Sequence, residues 1–349
     1  MRWHHSVEKI AVLSQSGRMP FLHTASLPAR PQLTRVPFAT VALPPVPDAM
    51  QPWPGRELEV DGITLHVRET PGPADAPTAL YVHGLGGAAT NWTELAGQLA
   101  GLVRGIAVDL PGFGRSKPAA GTDFSLPAQA EVVRKLILQL DRGPVHLFGN
   151  SMGGAISMML AAAHPELVRT LTLVSPAMPD LRPDVRRLGD PRFALALIPV
   201  VGKPMRESVA KMTAKQRAQQ LLGLCFAEPT KVSDARIDMA IAEYAERTQM
   251  PWAGPALSAS TLALFRAWCA AGAQSLWSVA RRVRVPSLVV WGSQDRLVTV
   301  RKAPRTAELL ARGRLLVLPR TGHVAQMERP ATVARATLGM WDAVAAGTW

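Results

Sequence analysis

The stretch Leu147-Phe148-Gly149-Asn150-Ser151-Met152-Gly153-Gly154 constrains this chain more than any other. It follows an apolar run that begins at Val145 and leads into a helix-like run from Ala155 to Ala163. In order it reads as strand, sharp turn and helix, with a serine at the apex. The small residues Gly149 and Gly153 let strand and helix approach closely around a strained turn, which points the serine outward. In this context G-x-S-x-G is a nucleophile elbow; without the flanking strand and helix it would be an ordinary turn. The rest of the chain then has to supply a base, an acid, an oxyanion hole and a lid.

The order of apolar runs and turn residues supplies a setting for such an elbow. Leu58 and Val60 alternate with charged residues, Asp61-Gly62 makes a two-residue turn, and Ile63, Leu65 and Val67 alternate again, which predicts a hairpin. Short apolar runs at residues 78–82, 105–108, 145–148 and 171–174 predict buried strands. Between them, 91–102 and 126–140 have helical periodicity, with Trp92, Leu95, Leu99 and Leu102 on the inner face of the first. Strands alternating with helices predict an α/β, mostly parallel, doubly wound sheet. The alternation breaks at Pro176 and resumes with a strand at 285–291, a helix at 301–311, a strand at 315–318 and a helix at 330–344. The predicted division is therefore a core of residues 56–175 and 281–349, with a helical cap of 176–280 inserted between two late strands. A cap so placed lies over the carboxyl ends of the strands, where open α/β sheets bind ligands. Residues 1–55 hold Pro28, Pro31, Pro37, Pro44, Pro45, Pro47, Pro52 and Pro54. That density predicts an extended or disordered arm which adds little to the core.

Composition narrows the class. The net charge is +13, but the basic residues are scattered rather than clustered with aromatics, which argues against a nucleic-acid partner. No stretch approaches the ~20 apolar residues that span a bilayer. The run from Ile10 to Leu13 is too short for a signal-peptide core, so a cytoplasmic location is expected. Two cysteines, Cys225 and Cys269, do not make a disulfide framework.

A serine hydroxyl needs a neighbouring base. Of eight histidines, His323 is the candidate, because it lies in Pro319-Arg320-Thr321-Gly322-His323, a loop after the last strand. A catalytic histidine needs an acceptor that fixes its tautomer and stabilises the imidazolium. Asp295, in Gly292-Ser293-Gln294-Asp295 just past a buried strand, is expected at the same sheet edge; Asp180, past the preceding strand, is the reserve. The oxyanion needs backbone N–H donors. Met152, next to the nucleophile, supplies one, and Leu85, in His83-Gly84-Leu85-Gly86-Gly87 after the third strand, supplies the other.

These landmarks, with Asp109-Leu110-Pro111-Gly112-Phe113-Gly114-Arg115-Ser116 between them, resemble the α/β-hydrolase family in kind and order over about residues 56–345. The resemblance implies Ser151, Asp295 and His323 as nucleophile, acid and base, Leu85 and Met152 as oxyanion donors, and a structural role for Asp109. It is most similar to the capped esterase and carbon–carbon-bond hydrolase branches. Branches with an aspartate nucleophile are disfavoured by the serine at 151. The expected activity is hydrolysis of a carboxylic ester or thioester through an acyl-enzyme, with no metal or organic cofactor. The alternatives are C–C hydrolysis of vinylogous diketones or perhydrolysis with the same three residues, and a non-catalytic ligand-binding protein on the same fold. The expected partner is a small ester-type molecule with an apolar acyl group. Met178, Phe193, Leu197, Ile198, Leu222, Phe226, Trp252, Leu262 and Phe265 are candidates either for the acyl pocket or for the cap's own core.

Overall fold

The computed structural model of the chain describes residues 35–47, 50–180 and 212–349. Eight strands form one sheet: β1 (Gly55–Val60), β2 (Ile63–Thr70), β3 (Thr78–Val82), β4 (Arg104–Val108), β5 (Val145–Asn150), β6 (Val168–Val174), β7 (Ser287–Gly292) and β8 (Gly313–Leu318). Their spatial order is β1-β2-β4-β3-β5-β6-β7-β8. The β1–β2 and β2–β4 pairs are antiparallel and every other pair is parallel.

The central strands read as unbroken apolar runs because both faces of the sheet are covered. Alternate residues feed two separate cores. Leu80, Val82, Leu147, Val289 and Trp291 enter one, and Ala79, Tyr81, Phe148, Leu288 and Val290 enter the other. The first core is closed by α2 (Leu126–Leu140) and α3 (Met152–Ala163), through Val133, Leu136, Ile137 and Ile156. The second is closed by α1 (Thr93–Leu99), through Leu95 and Leu99. Helix α1 stops at Leu99, short of the expected end. Ala100 turns to extended backbone and Leu102, expected on the inner face, is exposed. Gly101 at φ 82° takes the left-handed conformation that ends the helix.

Between β6 and β7 the described chain is helical: α4 (Ala214–Cys225), α5 (Asp234–Thr248), α6 (Ala253–Cys269) and α7 (Leu276–Arg282). Each of the first two starts on a side-chain cap, Thr213 accepting from the Gln216 N–H and Ser233 from the Arg236 N–H. The sequence boundary at residue 280 falls inside α7, whose Leu276, Val279 and Ala280 belong to the first core cluster. Past β7 come α8 (Ala303–Leu309), the short α9 (Ala325–Glu328) and α10 (Pro330–Ala345); α10 covers the second core with Val333, Ala334, Ala336 and Met340.

The described part of the N-terminal arm forms no helix or strand before Gly55, but it is not idle. Val36, Ala39 and Leu43 pack against the second core. The Ala39 N–H donates to the Arg335 carbonyl at 3.0 Å, and Gln98 Nε2 donates to the Pro44 carbonyl at 2.6 Å. Trp53 Nε1 donates to the Thr93 carbonyl at 3.1 Å. A segment outside helix and strand leaves its carbonyls unpaired, and here arginine and glutamine side chains on the helices beneath donate to them. No helix among the described residues is long and apolar enough to cross a membrane.

Candidate active site

Ser151 stands between β5 and α3 at φ 53°, ψ −118°, a backbone state rare for a residue with a side chain. Its N–H donates to the Val174 carbonyl at 3.0 Å, and its carbonyl accepts from Ala155 at 3.1 Å and Ala177 at 2.9 Å. These three bonds over-determine the strained turn. Glycine is required on both sides: a Cβ at Gly149 would meet the Gly153 carbonyl, and one at Gly153 would meet the carbonyls of Val82 and His83. The elbow therefore packs against the end of β3 as well as its own strand.

Asp295 and His323 come from the loops after β7 and β8. His323 Nδ1 lies 2.9 Å from Asp295 Oδ2, and both side chains are buried. The other carboxylate oxygen accepts the N–H groups of Leu297 at 2.8 Å and Val298 at 2.9 Å, which fixes the plane of the acid. With Nδ1 on the carboxylate, Nε2 is left to exchange protons. The reserve acid is elsewhere: Asp180 Oδ1 lies 3.5 Å from Lys302 Nζ. Asn150 links the elbow to the histidine loop, since its Nδ2 donates to the carbonyls of Val174 at 3.0 Å and His323 at 3.2 Å. That connection is invisible in the sequence, where Asn150 is only the variable letter of the motif.

Leu85 and Met152 flank the serine. Among the described residues neither backbone N–H has an acceptor within the chain. The peptide that carries the Leu85 N–H is polarised from behind. Its Gly84 carbonyl accepts from the Gly87 N–H at 3.0 Å and from His83 Nδ1 at 2.7 Å. The tautomer of His83 follows from its other nitrogen, since Nε2 takes the Leu110 N–H at 3.0 Å and Nδ1 must carry the proton. Burial lowers the His83 pKa, against the pull of Asp109 and of the Gly84 carbonyl, with a small further push from the Arg247 cation. Arg247 also donates to the Gly86 carbonyl at 2.5 Å, holding the same loop from α5.

Asp109 has the structural surroundings that the resemblance implies. Its carboxylate accepts from the Ala89 N–H at 2.6 Å and the Arg115 N–H at 3.0 Å, and meets His66 Nδ1 at 2.8 Å. Burial raises its pKa, but His66, His83 and the two N–H groups together outweigh that and hold it below the ordinary carboxylate value.

Ser151 and His323 face one cavity of about 350 Å³. Leu85, Leu222, Phe226, Val298 and Val324 form apolar wall, with Asn91, Arg236 and Arg247 among its polar groups. No hydrogen bond joins the Ser151 hydroxyl to His323; the two meet across this space. Of the apolar residues singled out in the sequence, Leu222 and Phe226 line the cavity. Met178 is buried in the first core, Leu262 and Phe265 are exposed, and Phe193, Leu197 and Ile198 lie outside the described residues. Trp252 does not line the cavity; helical periodicity cannot separate a helix's buried face from its ligand face. Cys225 also faces the cavity, but burial, with Asp295 and Glu328 adding, pushes its thiol up to about 12, so it is no rival nucleophile. Among the described residues no group of three His, Cys, Asp or Glu side chains is placed to hold a metal ion.

A sheet of this order, an elbow serine after β5 and an acid–histidine pair after β7 and β8 define a class. The profile of the alpha/beta hydrolase fold matches residues 77–330, and this chain belongs to that family. It is 30% identical over 274 residues to the dihydrolipoyllysine-residue acetyltransferase component of the acetoin cleaving system of Pseudomonas putida, covering 78% of this chain and 65% of that protein. It thus spans just under two thirds of that relative. It is 26% identical over 275 residues to monoacylglycerol lipase ABHD6 of Bos taurus, covering 75% of this chain and 74% of the lipase. A meta-cleavage product hydrolase of Pseudomonas fluorescens IP01 has the same fold, with a TM-score of 0.67 and 19% identity over 83% of this chain and 98% of the other.

Proposed function

We propose that this protein is a serine hydrolase of carboxylic esters or thioesters with an apolar acyl group. The observation that carries the reading is the cavity. It brings the strained Ser151, the Asp295-bound His323 and the loop of Leu85 to one apolar-walled space, and among the described residues the N–H groups of Leu85 and Met152 have no acceptor. Ser151 Oγ attacks the carbonyl carbon and its proton passes to His323 Nε2. The carbonyl oxygen gains the negative charge between the N–H groups of Leu85 and Met152. When the intermediate collapses, the bond to the leaving oxygen or sulfur breaks and His323 returns the proton to it. Water, deprotonated by the same nitrogen, then frees the acid and restores Ser151. Asp295 holds the imidazole through Nδ1 and stabilises its cation. The relative known as a monoacylglycerol lipase supports an ester as the bond cleaved.

The test is turnover of p-nitrophenyl esters from acetate to laurate, with Ser151→Ala as control and a fluorophosphonate probe in parallel. The expected result is probe labelling of Ser151 and ester turnover that vanishes in the variant. Turnover of a vinylogous diketone with little ester hydrolysis would move the assignment to C–C cleavage, and labelling without turnover of either would move it to a binding protein.

A further inference from the structure

Residues Gly223 to Ala227, the last turn of α4 and the two positions after it, are bound through their backbone to both loops that carry the Asp295–His323 pair. A helix end leaves its last carbonyls without intrahelical partners. At the end of α4 the partners come from the core. The Gly223 carbonyl accepts from Arg296 Nη1 at 2.6 Å, and the Cys225 carbonyl accepts the His323 N–H at 2.7 Å. Arg296 also reaches the Phe226 carbonyl at 3.5 Å and the Ala227 carbonyl at 3.3 Å. From the other side Glu328 accepts the Gly322 N–H at 2.6 Å and the Ala227 N–H at 2.9 Å, one on each carboxylate oxygen. The fit has no slack, because a Cβ at Gly322 would meet the Cys225 carbonyl and the Ala227 nitrogen.

Arg296 directly follows the acid, and Gly322 directly precedes the base. The same segment presents Phe226 to the cavity, and the residue before the segment, Leu222, lines the cavity too, both in an apolar cluster with Val324. One short stretch of chain therefore joins a wall of the cavity to the residues that would move the proton. A displacement of that wall would leave backbone carbonyls and N–H groups without partners, so its distance from His323 is held. The residue types suit the task. A guanidinium is a planar fork of several N–H groups and can serve converging carbonyls, whereas an ammonium is a point charge. A carboxylate accepts from two directions, whereas an amide has only one accepting atom.

We propose that Arg296 and Glu328 are positioning residues that lock the acyl wall of the cavity onto the loops of Asp295 and His323, and thereby set which acyl chain lengths are presented to Ser151. The proposal rests on the ester reading above for its substrate, but not for the clamp itself.

The test compares Arg296→Ala, Arg296→Lys, Glu328→Ala and Glu328→Gln with the wild type. Two readouts are taken: kcat and KM across p-nitrophenyl esters from acetate to laurate, and amide hydrogen exchange of peptides covering 218–228 and 320–328. The alanine variants should lose at least tenfold in kcat/KM on the preferred longer chain, a loss at least threefold larger than the one on acetate. Exchange in both peptides should quicken at least tenfold in Glu328→Ala. The lysine and glutamine variants should fall between, with the long-to-short ratio shifted at least threefold; they decide the matter if an alanine variant does not fold. An equal loss at every chain length, or unchanged exchange in both peptides, would overturn the proposal. If the wild type hydrolyses none of these esters, the ester reading fails. Exchange then still supports the clamp if Glu328→Ala frees both peptides, and overturns it if they stay protected.

Discussion

Ser151 is held in a backbone state that costs about 1–3 kcal/mol, and the surrounding bonds to Val174, Ala155 and Ala177 are what maintain it. Such strain is explained if the hydroxyl has to stand clear of strand and helix. Ser151→Ala and His323→Ala should each lower kcat on the preferred ester by at least about a thousandfold, because residues acting as a unit fail together. Asp295→Asn should be severe as well, since an amide can hold the wrong imidazole tautomer and cannot stabilise its cation. Asp180→Asn should keep kcat within a few-fold, because that carboxylate faces Lys302 rather than His323. Steady-state kinetics with circular dichroism as a folding check measures all four; the opposite pattern for the two aspartates would move the acid to Asp180. A second single-residue effect lies outside the site. His146, stacked on Trp341 at 4.0 Å, has its pKa lowered to about 3 by burial and then by Arg169. Below pH ~6.5 the unfolded chain protonates this ring while the folded chain does not. Stability therefore falls as pH drops from about 6.5 toward 3, by about 3 kcal/mol between pH 7 and pH 4 from this group. His146→Phe should flatten that slope in urea titrations at pH 7, 5 and 4. Parallel slopes for variant and wild type would show that His146 is not buried in its neutral form.

At the scale of elements, the arm behaves differently from its composition. Proline excludes helix and strand, but it does not exclude docking, and within residues 35–47 and 50–54 the arm gives carbonyls to Arg335, Gln98 and Arg68 and apolar side chains to the core under α10. Deletion through Gln51 should therefore lower Tm by at least about 3 °C, the equivalent of losing roughly 2 kcal/mol in a domain of this size. Differential scanning calorimetry reads this directly, and an unchanged Tm would mean that these contacts contribute nothing. The hairpin, by contrast, follows its local code. Asp61 and Gly62 both take positive φ, the turn that a two-residue loop between twisted strands demands.

For the whole molecule, the sheet order brings the ends of β3, β5, β7 and β8 to one edge, and the helices after β6 complete a cavity of about 350 Å³ above it. An apolar wall gains about 0.8 kcal/mol for each methylene it removes from water. On the ester reading, kcat/KM should climb about fourfold per added methylene from acetate until the cavity is filled, then level off or fall. A monotonic decline from acetate in the p-nitrophenyl series would show that the wall does not receive the acyl chain.

Much of this fold and site is legible in the sequence. Strands β3, β4, β5 and β7 are short apolar runs bounded by Pro, Gly or Asp, and their period and punctuation are local properties that a sequence displays. The elbow was legible for the same reason, since strand, glycine, serine and helix are contiguous. The sequence favours Asp295 over Asp180 as the partner of His323 without excluding either, because both carboxylates follow late strands, and the register of β7 against β8 places Asp295 at 2.9 Å. Asn150, Arg296 and Glu328 act through backbone groups of residues distant in the chain, and the tautomer of His83 is set by the Leu110 N–H. Nothing in their own neighbourhood marks those partners. The sequence by itself determined the strand alternation, the strained serine and the candidates for acid and base. Tertiary structure alone decided which carboxylate meets the histidine, which apolar side chains face the cavity and how the arm docks, because these depend on which surfaces the sheet brings together rather than on any local run of residues.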